Sequence, residues 1–300
     1  MIRKPFFYTT IAALILVIPF LISSARAGQV VTKENKSQAQ AIIQKEKGLK
    51  TPSAPNTVAV LYFKNQTGQP EFDVLQKGIA LMLMTDLSKI ENLQVVERVQ
   101  FQALMEELGM GTSGLVEPGT EPRIGKLLQA RWLVGGEILK VKLESLRIKS
   151  DVTDVPAQNI LGQPYSEGKP QDLISVEKSI LFEMIKLLKI EPTAKEKEKL
   201  KTPCSSNLQA LMALFKGVDA SDRGDYILAA EYYDAALKAD TNVCVARGAI
   251  EELQIKGLIS GKKKSADFLR SMRDRTSFTN QVSPKDATER EFAPKDVIRE

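Results

Sequence analysis

The chain has 300 residues, of which 42 are Lys or Arg and 37 are Asp or Glu, giving a formal net charge of +5. Histidine is absent and only two cysteines occur, which excludes hydrolases with an imidazole base and the usual zinc sites. Segment 1–27 carries three basic residues and no acid, so its removal leaves +5 − 3 = +2. That surplus is too small to indicate nucleic-acid binding.

The first 27 residues have the pattern of an export signal. Arg3 and Lys4 precede an uncharged apolar run that ends in Ala25-Arg26-Ala27, a small-x-small cleavage pattern. A retained membrane anchor is the alternative, because the run is nearly long enough to cross a bilayer. Pro19 near its end favours cleavage, and the lack of a nearby cysteine excludes a lipoprotein anchor. We therefore predict a signal peptide over 1–27 and a periplasmic protein.

Residues 28–56 are polar and rich in Lys, Gln, Ser and Pro, which predicts a flexible linker. A globular pattern then starts with the apolar run 58–63, which indicates a central strand buried on both faces. Apolar residues recur at helical spacing through 72–90 and predict an amphipathic helix. We further predict a short strand at 93–96 and helices over 99–108 and 121–129.

A third strand follows, and the segment after it predicts a hairpin. Its apolar residues stand at odd positions up to Leu143 and at even positions from Leu146, a phase change that a flat strand cannot absorb. A tight turn near Glu144-Ser145 is therefore expected between two strands. After a loop, a helix over 171–189 completes the unit, so 57–190 is predicted to form an α/β (α+β) sandwich domain with a mixed sheet.

The remaining chain predicts a second, smaller unit. Residues 191–203 are rich in Lys and Glu and are interpreted as a linker or a short solvated helix. Segment 204–260 is predicted to be a small all-α helical hairpin with a capping helix, and the charged segment 261–300 a disordered tail. The three helices are expected at 208–220, 226–239 and 244–259.

The two cysteines flank the predicted hairpin, Cys204 just before its first helix and Cys244 just after its second. Two antiparallel arms of similar length bring these ends side by side, and export places both thiols in an oxidising compartment. We predict a disulfide that closes the hairpin. Two separate buried thiols are the alternative.

Four segments of the first unit resemble the curli-secretion (CsgG-like) family, whose relatives include FlgO, LpoB-type activators of peptidoglycan synthases and the TolB N-terminal domain. The order of the segments carries the resemblance, which covers nearly all of 57–190. It implies a periplasmic α/β domain, often associated with the outer membrane, with no catalytic residues to carry over. The segments are 58–65 (VAVLYFKN), 93–98 (LQVVER), 104–108 (LMEEL) and 127–136 (LLQARWLVGG).

The helical unit resembles a single tetratricopeptide repeat. Thr241 follows Asp240 where that family favours proline. Because about three repeats are normally needed for a stable array, the unit is expected to pack on its capping helix, on the first domain or on another chain. The signature positions are Gly217, Gly224, Tyr226, Ala229, Tyr233 and Ala236.

Two further motifs are candidate sites. Residues 109–114 (GMGTSG) fit the dinucleotide pattern, but that mechanism needs a strand before the loop and a helix starting on it. A helix precedes the motif here, so we interpret it as a loop and predict no cofactor. The pair Glu97-Arg98 is interpreted as a salt bridge or cap at a strand-to-helix junction rather than as a partner contact.

Together these patterns predict a non-catalytic periplasmic adaptor or assembly scaffold that is not an enzyme. Its expected partners are other envelope proteins or further copies of itself, with no nucleic acid and no small-molecule substrate. Association with the outer membrane is left open. One alternative is a subunit of a CsgG-like outer-membrane secretion complex, although a pore needs lipid-facing strands of about 9–11 residues and the predicted hairpin is charged. The second alternative function is an activator of a peptidoglycan synthase.

Overall fold

A computed structural model describes residues 29–50, 56–117, 119–142 and 145–260. The predicted signal peptide, the predicted tail over 261–300 and Glu144 of the predicted turn lie outside the described residues. The strands are β1 (Thr57–Val60), β2 (Lys64–Asn65), β3 (Gln94–Val95), β4 (Trp132–Lys142), β5 (Ser145–Asp154), β6 (Asn159–Gly162) and β7 (Tyr165–Gly168). The helices are α1 (Lys33–Gln44), α2 (Val74–Leu87), α3 (Arg98–Glu107), α4 (Glu121–Leu127), α5 (Leu173–Leu187), α6 (Ala194–Lys201), α7 (Leu208–Asp222), α8 (Tyr226–Ala239) and α9 (Ala246–Ile255).

The strands form one mixed sheet in the order β3-β1-β4-β5-β6, with β2 paired to β4 and β7 paired to β5. β1 lies parallel to β3 and β4, whereas β4 and β5 form an antiparallel hairpin. β6 and β7 pair with successive lengths of β5 and form one edge of the sheet. The predicted mixed sheet is confirmed, and the loop expected after the hairpin contains these two edge strands.

The two faces of the hairpin differ in burial. In β5 the even-numbered residues from Leu146 to Asp154 are buried, and the odd-numbered residues from Ser145 to Thr153 are half-buried. Helix α5 packs against β5 and β7, and α2 packs against α5 and β1. β1 is buried at every residue, as a central strand should be. The half-buried face of β4 and β5 therefore remains partly open.

The flexible linker predicted over 28–56 is wrong for residues 29–50. Thr32 caps α1 through a capping box with Asn35, and the helix packs on α3 with Ala39 buried. Lys36 pairs with Glu106 at 2.8 Å. The polar composition was misleading because a docked helix needs only a narrow apolar stripe, and its partner lies far along the chain.

The linker predicted over 191–203 contains the docked helix α6. Thr193 and Glu196 form a capping box at its start, and Leu200 is fully buried. The Glu196 carboxylate also accepts a hydrogen bond from the backbone nitrogen of Glu91 at 2.8 Å. The segment is thus attached to the first domain, which its charged composition did not indicate.

Helices α7 and α8 form the predicted antiparallel hairpin, with α9 packed on α8. A disulfide joins Cys204 to Cys244, whose Cα atoms are 5.0 Å apart. Helix α7 packs against α2. Phe215 lies so close to Gly78 that a Cβ at this glycine would be 2.3 Å from the ring. The helical unit is therefore seated on the sheet domain through α2.

Candidate binding surface

The open face of the sheet carries a cavity of about 450 Å³. Residues of β4, β5 and the chain just after β1 form its floor, including Leu61, Leu133 and Thr153. Val116 and Pro122, from the connection between α3 and α4 and from α4 itself, line one wall, and the β5–β6 turn lines the other. A cavity of this size with a mainly apolar lining is large enough for one or two side chains of a partner.

Two adjacent glycines of β4 have different roles at this cavity. A Cβ at Gly135 would lie 3.4 Å from Leu61 Cδ1, an ordinary contact on the cavity side. A Cβ at Gly136 would lie 2.1 Å from the backbone oxygen of Lys149 and 2.5 Å from the ring of Phe63. Packing therefore requires glycine at 136, whereas a side chain at 135 would be accommodated by filling the cavity.

The rim of the cavity is predominantly acidic. Its charged lining residues are the carboxylates of Glu121, Glu137 and Asp151 and the ammonium of Lys64. Lys149 lies 3.7 Å from Glu137, a long ion pair, and its side chain is one-third exposed. The excess of carboxylates favours a partner that brings a basic side chain to the rim.

Exposed apolar side chains continue from the cavity to the free edge of the sheet. Ile160 of β6 lines the cavity and is 56% exposed, and Tyr165 of β7 is 63% exposed. The guanidinium of Arg147 lies 5.3 Å from the ring centroid of Tyr165. β6 and β7 each pair with β5 on one side, so their other side offers backbone groups to an added strand.

A buried ion cluster lies where α2, α3 and α7 meet. Asp222, whose side chain has no exposed area, accepts two hydrogen bonds at 2.9 Å from Nη1 of Arg98 and one at 2.9 Å from Nζ of Lys77. Arg98 Nη1 also donates to the hydroxyl of Tyr62 at 3.0 Å. We call Lys77, Arg98, Asp222 and Tyr62 the Arg98–Asp222 cluster. It joins the sheet domain to the helical unit.

Burial and charge act in opposite directions on Arg98. Burial is the largest single effect and disfavours its charged form, but Asp222, Tyr62 and Tyr233 together outweigh it and raise the pKa of Arg98 above its ordinary value. Burial also raises the pKa of the Tyr62 phenol, which therefore stays neutral. The salt bridge expected at Glu97-Arg98 thus involves Arg98 and Asp222, while Glu97 is exposed at the start of α3.

A second buried group, Glu177, lies between α5 and α2. The carboxylate of Asp86 forms ion pairs with the Nζ atoms of Lys89 and Lys178, each at 2.5 Å. Among the described residues, no donor is hydrogen-bonded to either carboxylate oxygen of Glu177. Burial and the neighbouring Asp86 carboxylate raise the pKa of Glu177 well above its ordinary value, and Lys178 opposes the shift. The neutral form of Glu177 therefore persists to a higher pH than that of an exposed glutamate.

Glu177→Gln is expected to stabilise the protein at pH 8 and to have little effect near pH 4. The pKa of Glu177 is higher in the folded state than its ordinary value of 4.5. The stability that protonated Glu177 contributes is therefore fully present below pH 4.5 and is lost as the pH rises toward the folded-state pKa. Glutamine keeps a donor for Asp86 without this loss. Melting temperatures of both proteins from pH 4 to pH 8 measure the effect. Glu183→Gln, on the exposed side of the same helix, is the control, and parallel curves for Glu177→Gln and the parent would contradict the assignment.

The residues of the predicted repeat form the packing contacts of the helical hairpin. A Cβ at Gly217 would lie 2.5 Å from the ring of Tyr233, and Gly224 adopts φ +78° in the turn. Ala229, Tyr233 and Ala236 are buried. Tyr226 is half-buried at the first position of α8. These contacts support a tight hairpin, and the tetratricopeptide identity of the unit stays a proposal.

The glycine motif 109–114 follows the end of α3, as expected for a loop, and its three glycines adopt φ between +65° and +82°. Among the described residues no group of three or more Cys, Asp or Glu is placed to hold a metal ion. Within the same part of the chain, every helix is too short or too polar to cross a bilayer.

Residues 35–144 match the family model described as curli production assembly/transport component CsgG. The chain contains a CsgG-like domain. The match includes α1, which the composition had assigned to a linker, as well as β1 to β4. The predicted resemblance is therefore confirmed over residues 57–144, and β5 to β7 and α5 lie beyond the matched residues.

Individual proteins similar to this chain have low sequence identity to it or match only part of it. A protein of Rhizobium meliloti (strain 1021), named "Putative adenylate cyclase 3", is 26% identical over 152 residues, 49% of this chain. The chain spans only 23% of that relative's length. Lipoprotein GNA1162 from Neisseria meningitidis is 10% identical, with a TM-score of 0.34 over 38% of this chain and 81% of that one. The LpoB C-terminal domain from Salmonella enterica is 13% identical, with a TM-score of 0.32 over 45% and 98%.

Proposed function

We propose that this protein is a non-catalytic adaptor of the bacterial envelope whose CsgG-like domain binds a segment of another envelope protein on its open sheet face. The observation that carries the proposal is the mainly apolar cavity beside a sheet edge that no other described strand covers. A peptide segment that enters such a site can bury an apolar side chain and pair its backbone with the edge strand.

The chemistry of the site specifies the segment further. The apolar floor around Leu61 and Leu133 favours an aliphatic or aromatic side chain, and the carboxylates of Glu121, Glu137 and Asp151 favour a basic residue next to it. An extended conformation suits β6 and β7, because only an extended backbone can continue the ladder of hydrogen bonds.

The proposed location is the periplasm. The basic start, the apolar run and the Ala25-Arg26-Ala27 pattern support export with cleavage after Ala27. A subunit of a secretion complex is the second candidate function, because the matching family model is described as an assembly and transport component. The partner captured at the cavity distinguishes an adaptor from a secretion subunit.

Gly135→Val is expected to reduce partner capture at the cavity about tenfold, which corresponds to a loss of about 1.4 kcal/mol of binding free energy. A photo-crosslinking residue placed at Thr153, on the cavity floor, records the capture in intact cells. A Cβ at residue 135 meets no atom closer than 3.4 Å, so the variant is expected to retain the fold. Circular dichroism of the purified variant verifies this.

Gly48→Val provides the matched control, because nothing lies within 4 Å of a Cβ at Gly48, which is not among the cavity residues. It should leave crosslinking unchanged. Equal capture by the parent and Gly135→Val would exclude the cavity as the binding surface, and a crosslinked pore component would favour the secretion subunit.

A further inference from the structure

The glycine motif 109–114 is fixed to the Arg98–Asp222 cluster through Lys77. This side chain belongs to α2, is buried, and donates from Nζ to the backbone oxygen of Thr112 at 2.8 Å. The same ammonium donates to Asp222 at 2.9 Å and to Asp219 at 3.0 Å, both on α7. An ammonium has three N–H donors, so Lys77 uses all three to join the motif to the helical unit.

The last glycine of the motif makes a second contact with the cluster. Gly114 is buried at φ +65°, and a Cβ there would lie 2.6 Å from the ring of Tyr62. That ring has little freedom to move, because its hydroxyl accepts from Arg98 at 3.0 Å and Phe101 packs edge-on at a centroid distance of 4.9 Å. The cluster therefore sets the position of the motif.

The chain passes directly from the motif into the wall of the cavity. Val116, two residues after Gly114, lines the cavity and is buried. Glu121 and Pro122, at the start of α4, extend the same wall. Because two residues span at most about 7 Å, a shift of the motif away from Tyr62 moves Val116 with it.

We propose that the glycine motif positions the cavity wall for partner capture, and that Lys77 is the positioning residue that makes capture depend on the seated helical unit. The inference rests on the proposed function of the cavity as a binding surface. While α7 lies against α2, its two aspartates hold the Lys77 ammonium, which in turn holds Thr112. By linkage, a partner that binds the positioned wall also stabilises the attachment of the helical unit.

Gly114→Ala should reduce capture by the crosslinking residue at Thr153 about tenfold, equivalent to about 1.4 kcal/mol. The new methyl group collides with the Tyr62 ring and displaces the wall. Gly111→Ala is the matched control. Gly111 also has φ +65°, so alanine meets the same backbone strain, but nothing lies within 4 Å of a Cβ there. The control should reduce capture less than about twofold.

Gly78→Ala tests the dependence on the helical unit at a residue that does not line the cavity. A Cβ there would lie 2.3 Å from the ring of Phe215, so the methyl group separates α7 from α2 and draws the two aspartates of α7 away from the ammonium. Capture at Thr153 should fall about fivefold, the lower end of typical coupling between two sites. Hydrogen exchange of the backbone amides of 110–117 should become faster. Gly248→Ala, in α9 with nothing within 4 Å of a Cβ, is the control and should change neither.

Capture is compared at a temperature at which circular dichroism shows every variant to be folded. Full capture by Gly114→Ala or by Gly78→Ala would overturn the proposal, because the contacts would then serve stability alone. An equal loss of capture in Gly111→Ala or Gly248→Ala would overturn it as well. The proposed function fails separately, when Gly135→Val captures as much partner as the parent.

Discussion

Asp222→Asn is expected to destabilise the protein by about 4 kcal/mol, the usual cost of removing one partner from a buried ion pair. The substitution keeps the size of the side chain but leaves the cations of Arg98 and Lys77 facing an amide in a site without solvent. Thermal unfolding should show a melting temperature about 10 °C lower. Because the cluster spans both units, the change should loosen the attachment of α7 to α2 as well.

Asp219→Asn is the control for this prediction. Asp219 also pairs with Lys77, at 3.0 Å, but its side chain is 36% exposed, so its loss should cost less than about 1 kcal/mol. Adding Lys77→Met to Asp222→Asn removes one of the two cations that lose the Asp222 carboxylate and should recover part of the lost stability. Equal effects of Asp219→Asn and Asp222→Asn would show that the cluster is not the main link.

Replacing both cysteines by serine should destabilise the helical unit by about 4 kcal/mol, because the disulfide closes a loop of 40 residues in the unfolded chain. Helix α9 begins directly after Val245, which adopts φ +66°, an unfavourable region for a β-branched residue. Without the covalent link nearby, we expect α9 to detach first. Hydrogen exchange of its backbone amides measures this opening.

Reduction of the parent protein with dithiothreitol should reproduce the exchange pattern of the double serine variant. The same treatment should leave that variant unchanged, which makes it the control for side effects of the reagent. Unchanged protection of α9 in the absence of the disulfide would contradict the prediction and assign the stability of the unit to packing alone.

Local patterns predicted the parts of the fold that depend on neighbouring residues. Alternation along β5 and the phase change before Leu146 predicted the hairpin, because side-chain direction in a strand repeats every two residues. The apolar run of β1 predicted a strand buried on both faces. Helices α7 and α8 followed from their spacing and from Gly224 between them.

Contacts between distant segments were not predictable in the same way. Arg98 and Asp222 are 124 residues apart, and no pattern pairs one buried charge with another at that distance. One signal was available. Asp222 stands four residues after Val218 and seven after Phe215, on the apolar stripe of α7, where a carboxylate requires a buried cationic partner.

The cavity and the docked helix α1 were missed for a related reason. The cavity arises where a sheet face is left partly uncovered, and the position of the covering elements is a property of the whole fold. At its floor Gly135 leaves space for a side chain, whereas Gly136 has none, and two adjacent glycines in a sequence do not show this difference. For α1 the average polarity of the segment concealed the small face that docks on α3.

The contact between Phe215 and Gly78 has a mechanical consequence. The ring occupies the space that any side chain at Gly78 would need, and the connecting helix α6 is itself anchored through Leu200 and Glu196. Helices α2 and α7 are consequently in close contact and have little room to shift relative to one another. A force applied to the helical hairpin by a bound partner would therefore move the sheet domain with it. A methyl group at residue 78 would separate α2 from α7 and allow the two units to move relative to one another.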